Sequence, residues 1–171
     1  MNNLKNRFLL LALAFLASSG IAFAQSPADV PAESRCQVCG MFVAKYPNWV
    51  TQIRTENGQR ALFDGVKDMM VYYFNPEKYG TQADAIQDIW VKDYYTLEWL
   101  DGRQAYYVVG SDLHGPMGHE FIPFASQEGA QAFLEDHQGD AILSFAEITA
   151  QKVESMRRGM KMKKMHKMGM E

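Results

Sequence analysis

From Trp49 to Thr55 the chain alternates: Trp49, Val50, Thr51 and Ile53 are strand formers, and Gln52 and Arg54 take intervening polar positions. A second short run, Arg60 to Phe63, follows Asn57-Gly58, and an Asn-Gly pair between two such runs predicts a β-hairpin. The period then lengthens. Asp64 is placed to cap a helix whose apolar side carries Val66, Met69, Met70 and Tyr73 and which stops before Pro76. Ile86 to Tyr95 reads as a strand. The second half repeats this order, with strands at Ala105 to Val109 and His119 to Phe124, Ser126 as helix cap, Ala130, Phe133 and Leu134 as the apolar face, Gly139 as the stop, and a closing strand from Ala141 to Ile148. The pattern predicts an α+β fold of two β-β-α-β units with small mixed or antiparallel sheets, the first over 35–98 and the second over 99–155. Met69 and Met70 fall among core positions, and the aromatic residues Tyr72, Tyr73, Phe74, Trp90, Tyr94, Tyr95, Trp99, Tyr106 and Tyr107 fit strand and helix packing at ordinary periods.

The flanks differ in kind. Residues 1–24 combine Lys5 and Arg7, an apolar run from Phe8 to Leu16 and small residues ending Ala22-Phe23-Ala24, the pattern of a secretory signal peptide cleaved before Gln25. The run is shorter than the roughly 20 apolar residues of a membrane span. A lipoprotein would need a cysteine directly after the cleavage site, whereas the first cysteine is Cys36, so the expected product is a soluble periplasmic chain of 147 of the 171 residues. Residues 25–34, with Pro27 and Pro31, read as a flexible lead-in. Residues 25–155 carry nine basic against nineteen acidic side chains, a net of −10, which argues against nucleic acid as a partner. Residues 156–171 reverse the sign, with six basic side chains, one acidic, and six methionines beside His166. That segment reads as a flexible, partly helical or disordered Met-rich tail.

Two cysteines exist in the whole chain, in Cys36-Gln37-Val38-Cys39-Gly40-Met41. A disulfide across so short a loop would stabilise the fold little, so chemistry explains the pair better than architecture. Thiolates and thioethers are soft donors that select Cu(I) over hard cations, and Gly40 lets the backbone bend enough for Cys39 and Met41 to converge on one ion. Two alternatives stay open. Zinc would want further ligands, for which His114 and His119 are the only candidate couple; a redox dithiol would ordinarily open a helix after a strand, whereas this motif precedes a hairpin.

A second constellation, His114-Gly115-Pro116-Met117-Gly118-His119, presents a thioether between two imidazoles in a glycine-rich turn. The tail is the third. Its thioethers would trap Cu(I), while its charge favours docking on an acidic protein surface or anionic membrane headgroups. His137, near the end of the second predicted helix, suits the helix dipole. Nothing resembles a nucleophile, base and acid arrangement, and no enzymatic activity is expected.

These residues together resemble the NosL family, copper-binding accessory proteins of nitrous oxide reductase maturation. The resemblance runs from Cys36-x-x-Cys39-Gly40-Met41 through Phe63-Asp64-Gly65-Val66-Lys67-Asp68-Met69, Trp90-Val91-Lys92-Asp93, Tyr106-Tyr107-Val108-Val109-Gly110-Ser111 and Met117-Gly118 to Phe124-Ala125-Ser126 and Gly139. It implies two β-β-α-β halves, Cu(I) as the metal, and delivery to a client copper enzyme, with nitrous oxide reductase or its maturation machinery as the candidate. Carried over by position, the ligands would be Cys39, Met41 and Met117, with Cys36 as a further thiolate and His119 or His114 completing the site. Family members are often lipoproteins, which this sequence does not match. The competing readings are a thiol-disulfide or copper reductase working through Cys36 and Cys39, and copper storage or detoxification by the tail.

Overall fold

The computed structural model describes residues 26–168, with the side chains of Asp84 and of 160–168 excepted. The signal peptide and its cleavage site lie outside the described residues. Among the described residues, seven strands form two sheets. In the first, β1 (Thr51–Thr55) pairs with β2 (Arg60–Phe63) through the Asn57-Gly58 turn and with β3 (Ile86–Lys92), and β4 (Trp99–Asp101) is added at the edge, giving the order β2-β1-β3-β4. In the second, β5 (Tyr106–Val109) lies between β6 (Ile122–Phe124) and β7 (Ala141–Ser144). Every pairing is antiparallel, so the sheets are not mixed.

Each half has the same path. A central strand pairs with the next strand, the chain crosses through a helix, and the returning strand pairs on the central strand's other side. The first crossover helix is α1 (Val66–Phe74) and the second is α2 (Gln127–Asp136). Several predicted strands are shorter than expected. Residues 119–121 and 145–148 leave the ladders, the latter because Ser144 and Glu147 form a capping box over a 3-10 turn, Phe145–Glu147. At the end of β3, Asp93 turns the chain by accepting from the backbone N–H groups of Tyr95 and Thr96, both at 2.9 Å. The first sheet takes in Trp99–Asp101, past the divide at residue 98 read from the sequence.

Alternation explains how the halves join. On β5, Tyr107 and Val109 face the large core built by the first sheet and α1, while Val108 faces a smaller core with Ile122, Phe124, Ala130 and Phe133 beneath α2. The second sheet is thus a partition buried on both faces. All of β1 is buried, including Gln52 and Arg54. Arg54 is satisfied by Asp88 directly across the ladder, and Gln52 exchanges two hydrogen bonds with the backbone of Ala28, at 3.0 and 2.7 Å. The segment expected to be a flexible lead-in is therefore tied across the sheet, because it covers polar groups that would otherwise be buried without partners.

A final helix, α3 (Ala150–Met168), packs against α1 through its first turns, with Val153 buried and Met156 against the main core. The backbone of the predicted tail is helical as far as Met168. Among the described residues no helix is long and apolar enough to cross a membrane.

Candidate metal centre

The cysteine loop is closed on itself by backbone bonds. Cys36 N donates to Met41 O at 2.8 Å and Gly40 N to Cys36 O at 3.0 Å, so the six-residue motif is a tight turn flanked by a bridge between Arg35 and Phe42. Gly40 sits at φ +77°, a left-handed conformation that strains other residues, which fulfils the sharp bend expected there. Gln37 N donates to Leu62 O at 3.2 Å and docks the turn on β2. Holding the turn in advance lowers the entropy lost when an ion binds.

This turn places both thiols over the start of α1. Cys36 Sγ lies 3.5 Å from Asp68 Oδ2, and Cys39 Sγ lies 3.4 and 3.5 Å from the two Asp64 oxygens. One donor atom from each of Cys36, Cys39, Asp64 and Asp68 falls within a 4.8 Å cluster, and neither His114 nor His119 belongs to it. Cys36 is buried, Cys39 half-buried, so an ion would enter past Cys39.

The two aspartates lie outside the ligand set expected from the sequence. Asp64 was expected to cap α1, but the cap position belongs to Gly65 and no local side chain caps the helix. The Asp64 carboxylate instead accepts from Cys39. The signal available in the sequence was a pair of carboxylates at the start of α1, Asp64 just ahead of the Gly65 cap position and Asp68 in the first turn.

Burial dominates the electrostatics. It pushes the Cys36 thiol up to about 12, helped by the neighbouring carboxylate, and the Cys39 thiol further in the same direction. Asp68 is raised as well, chiefly by burial, against the thiol hydrogen bonds that lower it. Without an ion the centre therefore holds two protonated thiols donating to carboxylates. Binding a metal requires the thiol protons to leave.

The second motif meets this centre through its backbone. Lys67, one residue before Asp68, is fully buried, and its Nζ donates to the carbonyls of Met117 at 2.7 Å and His119 at 2.6 Å. Met117 lies at the tip of a turn closed by bonds between Gly115 and Gly118. His114 is exposed, its ring centroid 4.5 Å from that of His119. Glu120 is buried beside them and supplies the cap α1 lacks: its Oε1 accepts from Lys67 N at 2.5 Å and from Phe121 N at 3.0 Å. Gly65 is needed for this approach, since a Cβ there would stand 2.4 Å from Glu120 Oε2. Burial pushes the Glu120 carboxyl up to about 8, with Lys67 opposing the rise. On the far side of His119, a cavity of about 440 Å³ opens toward α3 and is lined by Val109, Asp140, Lys152 and Met156 among others.

A pair of thiols over two carboxylates, carried by the first of two antiparallel β-β-α-β units, defines a metal-binding protein of α+β architecture. The family model described as NosL matches residues 27–153, and the chain belongs to the NosL family. It is 33% identical over 159 residues to the copper-binding lipoprotein NosL of Achromobacter cycloclastes, covering 84% of this chain and 80% of that protein. To the copper-binding lipoprotein NosL of Stutzerimonas stutzeri it is 31% identical over 118 residues, covering 66% of this chain and 60% of the relative. The crystal structure of the copper chaperone NosL from Shewanella denitrificans shares the fold, with a TM-score of 0.66 at 23% identity, over 74% of this chain and 97% of that one.

Proposed function

We propose that the protein is a periplasmic Cu(I) chaperone that binds the ion between its two halves and passes it to a client copper enzyme by ligand exchange, without covalent catalysis. The observation that carries this reading is the pair of thiols converging in one preformed turn, one buried and one half-buried, with Met41 on the same turn. A buried thiolate holds a soft ion and a half-buried one offers it to an incoming ligand. Cys36, Cys39 and Met41 are the first-half ligands and Met117 the ligand from the second, with His119 or His114 able to complete the set. Asp64 and Asp68 act as acceptors that hold the thiol protons until copper displaces them. Family membership supports copper as cargo. Nitrous oxide reductase is the client the family suggests. The mature protein would be soluble after signal-peptide removal, with the basic Met-rich end of α3 docking on an acidic partner or anionic headgroups.

Anaerobic titration of the reduced protein with Cu(I) against a competing chelator tests the assignment. Tight stoichiometric binding is expected, weakened substantially by Cys39→Ser and by Met117→Ala while the fold persists. Unchanged affinity in both variants would sink the proposal.

The carboxylates favour one second reading. Two thiolates and two carboxylates make a four-donor set that Zn(II) accepts. Asp64→Asn with Asp68→Asn separates the two readings: a zinc centre loses its ion, whereas a copper centre keeps Cu(I) close to wild-type affinity.

A further inference from the structure

Lysine is almost never fully buried unless its charge is answered. Lys67 is buried on a helix that contributes Asp68 to the metal centre, and three of its bonds cross to one stretch of the other half. Its backbone N–H goes to Glu120, and its ammonium goes to the carbonyls of Met117 and His119. The turn itself is closed by the two backbone bonds between Gly115 and Gly118. The three bonds from Lys67 fasten the stretch 117–120 to 64–68, and Gly65 is kept bare where Glu120 approaches.

We infer that Lys67 and Glu120 are positioning residues that hold the Met117 thioether in register with the Cys36 and Cys39 thiols, so that the copper site is assembled across the two halves. This rests on the reading of Met117 as a copper ligand. A clamp on the backbone at Met117 fixes where its side chain starts, and a preformed ligand position strengthens binding because the ion need not order the turn. A purely structural role for the pair would lower stability without changing how the folded protein uses Met117.

The experiment is a double-mutant cycle on Cu(I) affinity, read by chelator competition in the reduced full chain. It uses wild type, Met117→Leu, the pair Lys67→Leu with Glu120→Gln, and all three together. Replacing both buried residues together avoids leaving either polar group stranded without the other. Met117→Leu and the pair variant are each expected to weaken binding by about tenfold, and the triple variant by little more than either, because both remove the same contribution. Copper X-ray absorption of selenomethionine-labelled protein should show the copper–selenium signal falling equally in Met117→Leu and in the pair variant. Additive losses, near a hundredfold in the triple variant, or an undiminished selenium signal in the folded pair variant would overturn the inference alone. Wild-type affinity in Met117→Leu alongside weakened binding in Cys39→Ser would instead overturn the ligand reading, and this inference with it. If the pair variant does not fold, Lys67→Arg enters the same cycle, since it keeps the charge but displaces the donors.

Discussion

The two crossover helices sit at equivalent places in equivalent topologies and obey different rules. In the second half, α2 has a serine cap whose hydroxyl accepts from Gly129 N at 3.0 Å, buries only Ala130 and Phe133, and turns a polar face to solvent. In the first half, α1 has no local cap, is buried from Val66 through Tyr72, and carries Lys67 and Asp68 inside that buried stretch. Local rules suffice where a helix only closes a core. Where they are broken together, the chain is meeting a demand from elsewhere, here thiols 25 and 32 residues away and a carboxylate 53 residues away.

The largest effect expected from this asymmetry is in the pH dependence of copper binding. Both thiols are held above their ordinary range, Cys36 at about 12, so at neutral pH the metal-free site is protonated and each thiolate formed on binding releases a proton. Cu(I) affinity should therefore rise with pH by about one to two decades per unit, for one or two protons released, and keep rising beyond pH 8, where an ordinary exposed thiol would level off. Competition titrations from pH 6 to 9, with proton release measured in weakly buffered solution, check this. A pH-independent affinity would mean that the thiols are not the ligands.

Next in size is the stability effect of the buried carboxylate. Glu120 is raised in the folded state to about 8, whereas it titrates near 4.5 when exposed. A raised carboxyl binds its proton more tightly folded than unfolded, so its contribution is most favourable below about pH 4.5 and is lost progressively as pH rises to about 8. Denaturant unfolding should show the wild type losing stability relative to Glu120→Gln across that window, by up to roughly 5 kcal/mol, the opposing charge of Lys67 being already contained in the raised value. A parallel pH dependence in both proteins would assign the buried charge no energetic role.

The sequence exposes these features unequally for a physical reason. The Asn57-Gly58 hairpin, the Ser126 cap and the repeated β-β-α-β order are legible because each depends on residues within a few positions. The cysteine turn is legible for the same reason, its bend resting on Gly40. Asp64 was misjudged because an aspartate before a helix ordinarily caps it, and only the folded chain shows that Cys39 claims the carboxylate while Glu120 claims the helix N–H. Lys67 and Glu120 carried no local signal at all, since a lysine in an apolar helix and a glutamate beside a turn read as solvated until the halves are brought together.

The smallest effect belongs to the conforming half and serves as the control. Ser126→Ala removes the one side-chain cap of α2, which sits over the core of Val108, Ile122, Phe124, Ala130 and Phe133 rather than over the thiols. A cap of this kind contributes about 1 kcal/mol. The variant should lose about that much in denaturant unfolding and bind Cu(I) as tightly as the wild type at every pH. Because β5 contributes Val108 to that core and Tyr107 and Val109 to the one beside the metal centre, a copper effect in Ser126→Ala would show that the partition transmits strain. The two halves would then act as one cooperative unit, and the asymmetry between their helices would not mark a boundary between scaffold and site.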